Sequence, residues 1–157
     1  MGGSVYWNEE TNTVDIFNTE NTNMESLIRL LDVATRITEI AKSCERSFAG
    51  AIATNNNVTY NTWYEVFKYD KQFFLDYKQA YLDCANGVIQ YSPIETNKEV
   101  ANKVLKMMSD TESVINMTAD LFVTYDDYKG NKMSGLTNDI YVMSAEVRAM
   151  ILNYINK

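Results

Sequence analysis

Asp70 is the acidic residue of this sequence whose position most suggests chemistry. It lies inside an apolar stripe of a predicted helix, between Phe67 and Phe74, where an apolar residue is expected. A buried ionised carboxylate costs several kcal/mol unless it is paired or hydrogen-bonded. Asp70 therefore has three interpretations. It bonds to a Tyr hydroxyl or a Lys, or lies near a solvated end of the fold; it meets an Arg or Lys of a partner; or it is an acid–base or metal-binding group, for which no second carboxylate stands at a fixed spacing.

A second acidic site is the pair Asp126 and Asp127, flanked by Tyr125 and Tyr128. Adjacent residues on a helix point about 100° apart, so the two carboxylates do not readily face one metal ion. The pair is also predicted to fall near the C-terminus of a helix, where the helix dipole disfavours negative charge. We therefore interpret it as a frayed, solvated helix end rather than a cation site.

The absence of histidine removes several kinds of catalytic and metal site. Ser-His and Cys-His nucleophilic pairs, His-containing zinc sites and the Glu-x-x-His ligands of di-iron bundles are all excluded. We expect no catalytic residues, no cofactor and no metal, and hence no enzyme.

The two cysteines, Cys44 and Cys84, lie on predicted apolar stripes. If the first two helices form an antiparallel hairpin, residues whose numbers add up to about 115 lie at the same height, which separates the two thiols by roughly 20 Å. Since a disulfide needs Cα atoms within about 7 Å, both are predicted to be free, which favours a reducing compartment.

The net charge of −7 is unevenly distributed along the chain. All 14 basic residues follow residue 28, whereas the charged residues among the first 28 are all acidic: Glu9, Glu10, Asp15, Glu20 and Glu25. An acidic protein repels nucleic-acid phosphates, so no nucleic-acid partner is expected. The acidic segment either improves solubility or contacts a basic partner.

No apolar run reaches the ~18 residues of a membrane span, so none is expected. The opening residues Met1-Gly2-Gly3-Ser4 precede no apolar segment, so no signal peptide is visible there. The localisation stays undetermined.

Residues 97–125 carry the clearest structural pattern. Their apolar residues recur at alternating steps of three and four in two neighbouring rows, an arc about half the helix circumference wide, which predicts a helix covered by more than one neighbour. With one proline and six glycines in the chain, long helices are favoured. The sequence predicts an all-α, antiparallel four-helix bundle in which the third helix is longest, most central and overhangs the fourth, leaving one end of the bundle apolar. The predicted helices span about 23–53, 61–86, 93–128 and 137–156.

Local signals set these boundaries. A capping box at Thr22 to Glu25 starts the first helix, Asn86-Gly87 stops the second, Ser92-Pro93 starts the third, and Gly130 to Gly135 form a turn before the fourth. The small residues around Gly50 predict a close approach by a neighbouring helix.

Residues 1–22 form an acidic N-terminal arm, separate from a helical domain over 23–157. Two short β-prone runs, Val5 to Trp7 and Val14 to Phe17, predict either a small hairpin or an extended segment. A lone two-stranded hairpin is marginal in water, so the arm must lean on the bundle or on another chain.

The absence of catalytic constellations predicts a non-enzymatic protein that works through its surfaces, as an interaction or structural protein or as a subunit of a larger assembly. Tyrosine suits interfaces because it adds contact area and a polar tip, and helix 2 carries more aromatics than one buried stripe accommodates. The partner is another protein or a second copy. The predicted partner-binding residues are Tyr6, Trp7, Ile16 and Phe17 in the arm, and Tyr64, Tyr69, Asp70 and Phe73 on helix 2.

Two alternatives remain open. A small acidic inhibitor or immunity-type protein would neutralise a basic enzyme through a salt-sensitive interface. A carrier would hold an apolar ligand between helices, lined by aromatic residues and some of the eight methionines.

Overall fold

The structure is a computed structural model that describes the backbone of residues 3–8 and 13–156, and the side chains of residues 23–156. It confirms the antiparallel four-helix bundle. Interhelical ion pairs such as Lys103 to Glu146 show how neighbouring helices run side by side. The connections between helices are three or four residues long, which makes successive helices antiparallel. The helices are α1 (Thr19–Ile52), α2 (Asn57–Tyr91), α3 (Glu95–Val123) and α4 (Asp127–Ile155).

Helices α1 and α3 form the centre of the bundle. Each packs against the other three helices, whereas α2 and α4 each pack mainly against α1 and α3. This arrangement explains the broad apolar arc of residues 97–125, and the prediction that more than one neighbour covers them is confirmed. The arc buries Val100, Ala101, Val104, Met107, Met108, Val114, Ile115, Leu121 and Phe122.

The register between α1 and α2 agrees with the prediction. The Ser43 hydroxyl lies 2.5 Å from a carboxylate oxygen of Asp70, so residues whose numbers sum close to 115 do face each other. Cys44 is buried, Cys84 is half-buried and both are free, as predicted. Burial raises the pKa of the Cys44 thiol well above its ordinary value.

The predicted stripe of α1 is buried in full, and it consists of Leu27, Leu30, Ala34, Ile37, Ala41, Cys44 and Phe48. The close approach expected around Gly50 is also present. The indole of Trp63 on α2 covers Gly50, and a Cβ atom built there would come within 2.7 Å of the indole nitrogen.

The boundary between α3 and α4 differs from the prediction. Helix α3 ends at Val123, not at residue 128, and Asp126 is the N-cap of α4: its carboxylate accepts hydrogen bonds from the backbone N–H groups of Tyr128 (2.9 Å) and Lys129 (3.3 Å). The interpretation of Asp126 and Asp127 as a frayed helix end was therefore wrong. The segment from Gly130 to Gly135 is helical rather than a turn.

The predicted overhang of the third helix was also wrong. Helices α3 and α4 have 29 residues each, and their ends are level: Lys129 pairs with Asp120 at one end, and Thr96 lies beside Tyr154 at the other. The longest helix is α2, with 35 residues. The buried residues of α4 are Met133, Thr137, Ile140, Val147 and Ile151, and the first of them lies before the predicted start of the helix at residue 137.

Three further boundaries are corrected. Helix α2 continues through Asn86 and Gly87 to Tyr91, because Ala85 and Val88 are buried against the bundle. Helix α1 begins at Thr19, so Thr22 lies inside the helix and does not cap it. Helix α3 begins at Glu95 with Ile94 as its N-cap, and the Ser92 hydroxyl accepts from the Ile94 N–H at 3.2 Å.

The N-terminal arm takes the hairpin form of the two forms considered. Strand β1 (Gly3–Asn8) pairs antiparallel with β2 (Thr13–Asn18), from Gly3 opposite Asn18 to Asn8 opposite Thr13, and β1 contacts α1. The side chains predicted to bind a partner, those of Tyr6, Trp7, Ile16 and Phe17, lie outside the described side chains, so their role stays a prediction.

No helix within the described part of the chain combines the length and apolar character needed to cross a membrane.

Candidate docking surface on helices α1 and α2

Four rings on α2 form a continuous row, which we call the aromatic row: Tyr69, Phe73, Tyr77 and Tyr81. The four-residue spacing places successive rings on neighbouring turns of the helix, and their centroids are 6.5, 4.6 and 5.9 Å apart along the row. Tyr81 is buried beside α1, whereas Tyr69 is 70% exposed. The row therefore joins the core at Tyr81, and its exposed rings are Tyr77 and Tyr69.

The outer half of the aromatic row forms one wall of a groove between α1 and α2, which we call the α1–α2 groove. It encloses about 510 Å³, with Tyr69 and Phe73 on the α2 side. On the α1 side it is lined by Arg36, Glu39, Ile40, Lys42, Ser43 and Arg46. Aromatic side chains that face charged ones across an open groove are typical of protein interfaces, where aromatic residues and Arg supply the anchors.

Asp70 lies in the floor of this groove. It is half-buried, and the Ser43 hydroxyl donates a hydrogen bond of 2.5 Å to its carboxylate. Burial raises the pKa of the Asp70 carboxyl above its ordinary value, and the bond from Ser43 lowers it in part. Of the three interpretations, the structure gives Asp70 a partner within the bundle, although that partner is a serine rather than the Tyr or Lys expected.

Two cations of α1, Lys42 and Arg46, separate the α1–α2 groove from a second groove, and we call this pair the basic ridge. The second groove lies between α1 and α4, encloses about 350 Å³ and includes Tyr141. The Lys42 ammonium donates to the Tyr141 hydroxyl at 2.9 Å and lies 4.5 Å from the centre of that ring.

The basic ridge differs from most other cations of the bundle in its pairing. Seven Lys or Arg side chains, Arg36 among them, form ion pairs with carboxylates. Among residues 23–156, neither Lys42 nor Arg46 forms one. The α1–α2 groove also contains the carboxylates of Glu39 and Asp70, but neither lies within ion-pair distance of Lys42 or Arg46.

The structure brings together three of the four partner-binding residues predicted on helix 2. Tyr69, Asp70 and Phe73 all line the α1–α2 groove. Tyr64 lies elsewhere: its ring packs on Phe67 and Phe122, with centroids 6.2 and 5.1 Å away, and it is 37% exposed. Tyr64 does not line the α1–α2 groove, and its role in binding a partner stays a prediction.

Sequence reasoning missed the basic ridge and one buried acid. The four-residue spacing of Lys42 and Arg46 was a signal that the two side chains are neighbours on one face of α1. Asp110 on α3 is more buried than Asp70, and its carboxylate is paired with Lys106 at 2.6 Å. Its signal was the lysine one turn earlier, which compensates the buried charge.

A second exposed apolar patch lies at the bundle end formed by the α1–α2 and α3–α4 connections. It comprises Ile52, Val58, Val123, Tyr125 and Tyr128. The Tyr125 ring stacks on Phe48 with centroids 6.0 Å apart, so part of this patch completes the core. The patch carries no basic ridge, and it offers matched exposed residues for control variants.

The acidic and thiol groups of the described residues do not gather into a site of three or more that could hold a metal ion. Buried polar atoms without a hydrogen-bond partner occur instead as single residues of the core: Ser47, Asn97 and Thr111.

Comparison of the chain with protein-family models, with curated proteins and with solved structures finds no match.

Proposed function

We propose that this protein acts by binding another polypeptide through the α1–α2 groove, as an interaction or structural component of an assembly rather than as an enzyme. The observation that carries this proposal is the aromatic row, which emerges from the core at Tyr81 and ends at the exposed Tyr69 beside the basic ridge.

The aromatic row suits binding because its rings are already held in place. Each ring is supported by the next, so little side-chain freedom is lost when a partner covers them. Exposed Tyr69 and half-buried Phe73 also present apolar area that water solvates poorly. Contiguous apolar area at the surface, flanked by charged residues, is characteristic of interaction sites.

The basic ridge would set the orientation in which a partner docks. Charges at the edge of an interface mainly speed encounter and exclude wrong partners, and removal of solvent strengthens them when the partner docks. Lys42 and Arg46, which form no ion pair among residues 23–156, therefore favour a partner that presents carboxylates next to apolar side chains.

The test is affinity capture from the cells that make the protein, with two double variants compared against the wild type. Tyr69→Ala with Arg46→Ala removes one anchor from each wall of the groove. The control, Tyr128→Ala with Arg148→Ala, removes an equally exposed tyrosine and an exposed arginine that both lie outside the groove. We expect the control to retain as much of the partner as the wild type does. The groove variant should retain about tenfold less of it.

Circular dichroism verifies that both variants keep the helical fold, since all four side chains are exposed. Equal retention of the partner by the groove variant and the wild type would show that the groove is not the binding surface. Loss of the partner in the Tyr128 and Arg148 variant alone would place the interface outside the α1–α2 groove.

A further inference from the structure

The acidic arm and the basic ridge are complementary in charge but distant within one chain. Residues 1–18, which precede α1, hold three acids (Glu9, Glu10 and Asp15) and no base, whereas the basic ridge holds two cations without an ion pair inside residues 23–156. The arm ends where α1 begins, at Thr19. From there to Lys42 the helix rises about 35 Å.

The strands of the arm are shorter than the distance to the basic ridge of the same chain. Each strand of the hairpin has six residues and is about 20 Å long. Folded back along α1, strands of that length end about 15 Å short of Lys42. This difference in length favours an encounter between different copies over one within a single chain.

The two regions also match in their apolar content. The arm carries Tyr6, Trp7, Ile16 and Phe17 in its two strands, and a two-stranded hairpin is marginal in water unless something covers it. The α1–α2 groove presents Tyr69 and Phe73 beside the basic ridge. Each region thus offers what the other lacks: acids next to apolar residues on one side, and bases next to aromatic rings on the other.

We propose that the acidic N-terminal arm of a second copy of this chain docks on the basic ridge and the outer half of the aromatic row. This inference rests on the proposed function and names the partner. Because the arm and the ridge are different surfaces, the contact is heterologous, and a single contact between two copies leaves one arm and one ridge of the pair free. Such contacts build closed rings or open filaments.

The binding test uses a fluorescent synthetic peptide of residues 1–22 and the full-length protein, monitored by fluorescence anisotropy. We expect the peptide to bind the wild type, and the Lys42→Glu, Arg46→Glu variant to bind it at least about tenfold more weakly. The matched control, Lys132→Glu with Arg148→Glu, makes the same charge change at two exposed positions of α4 and should bind like the wild type.

A charge swap makes the test specific. A peptide with Glu9→Lys and Glu10→Lys should lose affinity for the wild type and regain it for the Lys42→Glu, Arg46→Glu variant, because the signs at both surfaces are reversed. In sedimentation velocity, the full-length wild type should form larger species as its concentration rises, and excess peptide should return it to the monomer.

Two results would overturn the inference: equal binding of the peptide to the ridge and control variants, or a full-length wild type that stays monomeric at every concentration. These results leave the proposed function intact if the groove variant still loses a different captured protein. The two proposals therefore fail separately.

Discussion

Asp70 shows how far a single residue is predictable. Its position between Phe67 and Phe74 predicts an acid that is partly withdrawn from water, and the structure places it so. Its hydrogen-bond partner was not predictable, because Ser43 is 27 residues away and meets Asp70 only once the register of α1 against α2 is set. The sequence thus indicates that an acid needs a partner, and the packing decides which partner it finds.

Replacement of Asp70 by asparagine should change the pH dependence of stability. The pKa of Asp70 is raised in the folded state, so between the unfolded-state value of about 3.9 and the folded value the folded protein binds more protons. Wild-type stability therefore falls as the pH rises through the folded pKa. The amide introduced by Asp70→Asn keeps an oxygen that accepts from Ser43 but carries no charge, so the variant should melt above the wild type at pH 7 and lose this gain near pH 4.

Thermal unfolding followed by circular dichroism from pH 4 to pH 7 measures this difference. A gain that is independent of pH, or a variant that melts below the wild type at pH 7, would show that ionisation of Asp70 does not cost stability.

Helix boundaries were the least predictable feature at the scale of elements. The sequence predicts that helices stop at glycines, yet Gly87, Gly130 and Gly135 all lie inside helices. A glycine in a helix interior costs about 1 kcal/mol relative to alanine, whereas full burial of a methionine contributes about 1.5–3 kcal/mol. Met133 is buried because α4 starts at Asp127, and its burial offsets the cost of the two flanking glycines, which is about 2 kcal/mol together.

The periodic pattern also misled at the end of α3. Tyr125 continues the three-and-four spacing of residues 97–122, and its ring does stack on Phe48. It does so from the connection, however, because the Asp126 carboxylate caps the next helix. Periodicity records which side chains face the core and leaves open whether a helix or a loop brings them there.

Two glycine-to-alanine variants should have opposite effects. At Gly135, a Cβ atom meets nothing within 4 Å, so Gly135→Ala should stabilise the protein by about 0.5–1 kcal/mol. At Gly50, a Cβ atom collides with the Trp63 indole, so Gly50→Ala should destabilise it by about 1–3 kcal/mol. Urea unfolding gives both values, and equal signs would contradict the packing of α1 against α2.

At the scale of the whole molecule, the number of helices and their alternating direction follow from the sequence. The centrality of α3 follows from its wide apolar arc, but the equal role of α1 did not. The α1 stripe includes the small residues Ala34, Ala41 and Cys44, all fully buried. Val33, Ile40 and Ser47 are buried beside this stripe, so the buried face of α1 is wider than the stripe and packs against three helices at once. The width of the apolar stripe in the sequence therefore underestimates how many helices pack against α1.

The packing of the four helices predicts which helices open first in local unfolding. Amides in the middle of α1 and α3 should exchange with solvent most slowly, close to the rate set by global unfolding, because three helices cover each. Amides of α2 and α4, covered mainly by two helices, should exchange faster. Native-state hydrogen exchange read by mass spectrometry measures this, and uniform protection of the four helices would contradict it.

The candidate docking surface was predictable only in part. Aromatic excess on helix 2 indicated that some rings lie outside the core, and Tyr69, Asp70 and Phe73 do line one groove. The opposite wall was not predictable, because it depends on which face of α1 turns towards α2. The contribution of Lys42 and Arg46 emerges only when the ion pairs of the folded chain are known.

Because the bundle has an even number of antiparallel helices, α4 ends at the same end of the bundle at which α1 begins. Residues near the start of α1 and the end of α4 lie at the same pole, because Lys42 and Glu45 of α1 meet Tyr141 and Ser134 of α4 in reverse order. A tag or surface linker fused after Ile155 would thus leave from the pole opposite the α1–α2 and α3–α4 connections. A protein immobilised in this way keeps the flank of α1 and α2 open to solution, which suits it to label-free binding measurements.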